Sequence, residues 1–179
     1  MRIIAPSPLR FALTFGAIAG ALFVVYTFPY AQVGVSERWF ESYLGLYAQL
    51  AGKTLSLFDP QVTVHQQDIL GRYNLRIVKN CDAMEANILY ASAVLAFPVA
   101  VRARLIGLAG GVALLVLLNV IRICTLYYVG ILAPQAFSFF HLELWPLLLI
   151  ASGAALFLCW ATLASRHERE TPAHAAAQA

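Results

Sequence analysis

The chain has 179 residues, 61% hydrophobic and 12% charged, with a formal net charge of +3. Soluble domains average about 45–50% apolar and about 25% charged residues, so this composition excludes an ordinary water-soluble domain. Mean hydropathy of +0.74 points the same way, and no nucleic-acid partner is expected.

Four apolar stretches reach the roughly 20 residues that a helix needs to cross a hydrocarbon core about 30 Å thick. The first runs from Phe11 to Val35, behind Arg2 and Arg10. It exceeds the roughly 7–15 apolar residues of a signal-peptide h-region, and no A-x-A site follows, so a retained anchor is expected. The loop from Ser36 to Asn80 comes next. From Arg38 to Phe58 it interleaves aromatic and aliphatic residues with few charges, as in a helix lying at a membrane interface. Asp59-Pro60 breaks that pattern. The β-prone runs Val62 to His65 and Tyr73 to Val78, around Asp68-Ile69-Leu70-Gly71, read as a short hairpin leading straight into Cys81. The remaining spans are Cys81 to Val101, Leu105 to Leu132 and Leu142 to Ala164. The expectation is an all-α integral membrane protein of about four transmembrane helices, with an outer-face amphipathic helix and a short β-hairpin. Residues 1–165 form a single domain, and residues 166–179 a disordered cytoplasmic tail. Gly16-x-x-x-Gly20 and Gly107-x-x-x-Gly111 predict close helix packing.

Arginines set the orientation. Arg2 and Arg10 precede the first span, Arg102 and Arg104 link the second and third, and Arg166 and Arg169 follow the fourth. The positive-inside rule makes that side the cytoplasm. The link from Pro134 to Phe140 has no Lys or Arg, whereas Arg38, Lys53, Arg72, Arg76 and Lys79 are spread thinly through the long loop. Both termini are therefore expected inside, in the bacterial plasma membrane.

Ionisable groups inside membrane segments are costly and mark sites. Arg122 lies 17 positions after Leu105, roughly 26 Å along a helix and close to the outer edge of the core. The rival reading is a side chain snorkelling to the outer headgroups. Cys81 opens the second span and His141 the fourth, at the same outer level. Three helices thus deliver a thiol, a guanidinium and an imidazole to one depth. Cys124 is two residues from Arg122, about 200° around the helix, and is expected to point elsewhere. Cys159 is expected to be packing near the inner face. A Cys near a cation and a His is the arrangement of a thiolate nucleophile. The imidazole takes the thiol proton and returns one to the leaving amine, and the permanently charged guanidinium suits an oxyanion. Glu85 and Glu143 are candidates to orient His141 or pair with Arg122, and Asn119 to brace Arg122. His65 and His141 have no partners at ligand spacing, so neither a metal nor an organic cofactor is expected.

Cys81, then Asn119-Val120-Ile121-Arg122-Ile123, then His141, each at the outer end of successive helices, resembles the exosortase/archaeosortase family. Asn80 to Trp145 carries the likeness, somewhat over a third of the chain, and the short four-helix form is most like exosortase H. The chain departs from the family's common Cys-Ser-Gly pattern, having Cys81-Asp82-Ala83-Met84-Glu85. The resemblance implies a membrane-embedded cysteine peptidase or transpeptidase with Cys81, Arg122 and His141 as its catalytic set. It implies partners too: exported proteins that end in a short motif, a membrane helix and a basic cluster, cut near the motif and passed to an acceptor. Two other classes stay open. A thiol oxidoreductase needs paired outer cysteines, and there is no C-x-x-C. A small transporter or assembly subunit would use Arg122 as a counter-ion and leave Cys81 idle.

Overall fold

The computed structural model describes residues 7–30 and 38–177, side chains of Asn80 and of residues 167–177 excepted. Arg2 and residues 31–37, with the end of the first expected span, lie outside the described residues. The protein is an all-α membrane protein with one small sheet. Helix α1 (Pro8–Thr27) starts where the sequence says it must: Ser7 Oγ accepts from the Arg10 N–H at 3.3 Å, and Pro8 takes the first position, where no N–H is needed. Of its 20 residues only Ala19 is buried, as befits a helix solvated by lipid.

Among the described residues three helices are long and apolar enough to cross a membrane: Pro8–Thr27, Val101–Leu132 and Pro134–Arg166. The expected second span is shorter than four spans require. Helix α3 (Met84–Ala96) has 13 residues, about 20 Å at 1.5 Å each, against a core of about 30 Å. It is trimmed at both ends. At its start Ala83 has φ 53 and Asp82 Oδ1 accepts the Met84 N–H at 3.1 Å. At its finish Pro98 follows Phe97, whose carbonyl accepts from Arg104 Nη2 at 3.0 Å. Helix α4 (Val101–Leu132) makes up the length with 32 residues. After it come a 3₁₀ turn (Pro134–Ala136), the single turn α5 (Phe137–Phe139), a π-helical turn (Phe140–Leu144) and helix α6 (Trp145–Ala177). Residues 166–177 of the segment expected as a disordered tail continue α6.

The chain groups into two compact units. The first holds residues 1–26, 85–114 and 150–179. Its centre is aromatic: Phe11 stacks on Phe157 at 6.1 Å, and Phe97 meets Phe157 and Trp160 edge-on at 5.8 and 5.7 Å. The Tyr90 hydroxyl donates to the Gly107 carbonyl at 2.7 Å, and Trp160 Nε1 to Ala103 O at 3.2 Å. Gly107 and Gly111 are small because the Trp160 indole and the Tyr90 ring occupy the space a Cβ would need. Gly16 and Gly20 have nothing within 4 Å, so close packing fails for that pair. Cys159 is exposed rather than packed.

The second unit holds residues 27–84 and 115–149. Helix α2 (Arg38–Ser56) buries Phe40, Leu44, Tyr47, Ala48, Ala51, Gly52 and Leu55, the one-sided stripe of an amphipathic helix. That stripe packs on a three-stranded antiparallel sheet, one strand more than the expected hairpin: β1 (Thr63–His65), β2 (Asp68–Leu70) and β3 (Leu75–Arg76). Val64 pairs with Ile69, and Ile69 with Leu75. Gly52 leaves room for the Val64 side chain. The sheet is tied to α4 through Tyr127, whose side chain is fully buried. Its hydroxyl donates to Asp59 Oδ2 at 2.9 Å and accepts the Arg72 N–H at 3.0 Å.

Candidate functional site

Helix α4 buries Leu115, Asn119, Val120, Arg122, Ile123, Leu126 and Tyr127 among others, one face at helical spacing. Two polar residues therefore stand in an apolar stripe, and burial without partners would cost several kcal/mol. Both are engaged. Asn119, fully buried, donates through Nδ2 to the Cys81 carbonyl at 2.9 Å. It braces the thiol-bearing turn, not Arg122 as expected. Arg122 is 3% exposed, and its Nη2 donates to the His141 carbonyl at 3.3 Å. The same nitrogen lies 3.5 Å from His141 Nδ1. The imidazole tautomer decides the roles in that contact. A side chain buried this way does not snorkel.

Cys81 does not open a helix. It closes a 3₁₀ turn (Lys79–Cys81), with its N–H bonded to the Val78 carbonyl at 2.7 Å. Lys79 Nζ sits over the Phe40 ring at 5.2 Å, anchoring the turn to α2. Asp82, 1% exposed, follows, and its charge adds to burial in raising the pKa of Tyr47 on α2, whose hydroxyl stays protonated at neutral pH. Ala83 occupies the left-handed region at φ 53, which only glycine enters without cost.

His141 lies in the π-helical turn, not at the start of a helix. Its ring stacks on Phe137 at 5.6 Å with planes 22° apart, and Phe137 meets Tyr73 at 5.7 Å. Gly130 makes room for the Tyr73 ring. The imidazole is thus clamped between an aromatic face and the guanidinium.

The three expected groups share one cavity of about 250 Å³. Cys81, Arg122 and His141 line it with Ile123, Leu126, Phe137 and the whole stretch Tyr73 to Val78. Glu143 and Glu85 are exposed and are not among its lining residues, so the carboxylate roles expected of them find no support in the geometry. Cys124 is absent from the lining as well, its Sγ lying 3.8 Å from the Ala51 carbonyl. All three cysteines are free thiols. Among the described residues no group of three His, Cys, Asp or Glu side chains is placed to hold a metal ion. Sequence reasoning missed Tyr73, Phe137, Tyr127 and Asp59, which read as ordinary apolar or loop residues.

A chemical reading of the cavity is direct. It holds one thiol, one imidazole and the buried Arg122 guanidinium, with the exposed Arg76 at its border and no carboxylate among its lining residues. A charge forming on a bound group would meet the buried Arg122 guanidinium. A comparison with protein-family models matches residues 9–164 to the family described as transmembrane exosortase. Searches of curated proteins and of solved structures return no match.

Proposed function

The chain belongs to the transmembrane exosortase family, and from that premise we propose that it is a membrane-embedded cysteine transpeptidase. In this reading it cleaves C-terminal sorting signals of exported proteins at the outer face of the bacterial inner membrane. The observation that carries the proposal is the single cavity shared by Cys81, Arg122 and His141.

The chemistry runs through a thioester. Cys81 Sγ attacks the scissile carbonyl while the thiol proton passes to the His141 imidazole. The carbonyl π pair moves onto oxygen, and the Arg122 guanidinium meets that oxyanion. Collapse breaks the C–N bond, and the imidazolium gives its proton to the departing amine. The acyl group, now on Cys81, passes to an acceptor nucleophile whose proton the imidazole takes in turn. The Asn119 bond to the Cys81 carbonyl holds the sulfur's backbone still through both half-reactions. Cys124 is absent from the cavity, which leaves Cys81 without a partner thiol there and weighs against a dithiol oxidoreductase.

The test is capture of the acyl-enzyme. Membranes containing the chain should yield a hydroxylamine-sensitive adduct at Cys81, and Cys81→Ala should abolish it while full-length precursors accumulate. A Cys81→Ala chain that processes precursors normally returns the protein to the transporter or assembly class.

A further inference from the structure

The sheet has an edge that no strand covers, and it borders the thiol. β3 is the last strand in the order β1-β2-β3. The Ile77 N–H donates to the Gln67 carbonyl at 2.9 Å, one step along from the register pair of Asp68 and Arg76. Bonded and non-bonded pairs alternate along an antiparallel ladder. The Arg76 pair is therefore the non-bonded kind, and the N–H and C=O of Arg76 point away from β2. None of the described residues takes up either group.

That free edge opens on the cavity. Side chains of a strand alternate between its two faces, so a cavity touching every residue from Tyr73 to Val78 runs along the backbone edge and not against one face. The same cavity reaches Cys81. Its charged lining residues are Arg122, which is buried, and Arg76, which is exposed and pairs with Asp68 at 3.7 Å.

We propose that the substrate segment bearing the scissile bond docks as an extended strand on the free edge of β3, hydrogen-bonded to the N–H and C=O of Arg76. This inference rests on the peptidase reading and supplies its mode of recognition. Main-chain bonds give the affinity, and alternate side chains entering the cavity give the selectivity. The occupant is a peptide without Lys or Arg in the docked stretch, because two guanidinium groups border the space. Docking this way straightens the chain, as a nucleophile requires for access to a peptide carbonyl, and it delivers the bond to Cys81 in one register.

The experiment uses the full chain in detergent and reads alkylation of each cysteine by peptide mapping. The probes are an acetylated hexapeptide vinyl sulfone built from Val, Thr and Ala, and methyl vinyl sulfone, each rate normalised to that with glutathione. Cys81 should react about tenfold faster with the peptide, the worth of one or two backbone hydrogen bonds. N-methylation of alternate probe amides should erase the gain, and methylation of the amides between them should not. A Lys in the probe should reduce it. Arg76→Pro, which removes the outward N–H but breaks no ladder bond, should erase the gain measured against Arg76→Ala, which also lacks the guanidinium. Arg76→Ala, which keeps the N–H, should preserve the alternation. A gain that is absent, indifferent to N-methylation, or intact in Arg76→Pro overturns edge docking and leaves the peptidase standing. If Cys81 resists methyl vinyl sulfone while Cys124 and Cys159 react, the peptidase reading falls, and edge docking falls with it.

Discussion

Asn119 reaches across from α4 and donates to the backbone carbonyl of Cys81 at 2.9 Å. A helix side chain thereby fixes the position of a sulfur that sits on a short irregular turn. Asn119→Asp keeps the shape and loses the donor. It should destabilise the protein by about 1–3 kcal/mol and slow acylation, while Cys81 becomes more reactive to small alkylating reagents as its turn loosens. Thermal unfolding in detergent and thiol-labelling rates check both parts.

Arg122 meets both the carbonyl and the ring of His141 through Nη2. Lysine keeps the charge but offers a compact ammonium on a differently shaped stem. Arg122→Lys should lower processing by about a hundredfold or more, the usual scale for removing an oxyanion donor. The chain should still fold, as its unfolding profile will report.

Tyr127→Phe tests the strap that holds the sheet to α4. The change leaves the Asp59 carboxylate, 7% exposed, without its hydroxyl donor and the Arg72 N–H without its acceptor. A loss of about 1–3 kcal/mol is expected. Faster proteolysis between Asp59 and Arg72 is the direct readout.

Ala83 is the position where a substitution should help. Its φ of 53 costs an alanine roughly 1–2 kcal/mol, partly offset by the greater freedom glycine has when unfolded. Ala83→Gly should raise stability by up to about 1 kcal/mol and leave processing intact. Ala83→Val should do the reverse, and paired melting curves decide the sign.

Cys124 and Cys159 should be dispensable. Cys124 sits outside the cavity and Cys159 is exposed. Replacing both with Ala should preserve processing, with a modest stability loss at Cys124. A folded double variant without activity would remove the basis for singling out Cys81.

Much of this was readable from residues alone, for a physical reason. Hydrocarbon demands long apolar helices, so α1, α4 and the Pro134–Arg166 span announce themselves. The stripe on α2 announces its buried face in the same way. The grouping of Cys81, Arg122 and His141 followed from depth, because rise per residue is nearly constant. What escaped notice depends on where backbone hydrogen bonds start and stop. An apolar run does not reveal that Cys81 closes a 3₁₀ turn, that Ala83 is left-handed, or that α3 ends at Ala96. The β-prone run Tyr73 to Val78 does hold β3, but Asp68–Leu70, read as the turn of the hairpin, is itself a strand of three residues, too short to carry a pattern. The engagement of Tyr127 with Asp59 spans 68 positions and depends on the tertiary fold.

The π-helical turn at Phe140–Leu144 holds one residue more than an α-helical turn would. That surplus rotates Phe137 and His141 by about 100° relative to Trp145 and Leu149. Deleting Leu142, an exposed residue with no part in the cavity, would let the turn close to α geometry and swing the imidazole off Arg122. Chain length through this turn is thus a tuned quantity. The site should absorb a change of side chain at Leu142 and fail on the loss of the residue, making register, not chemistry, its most fragile property there.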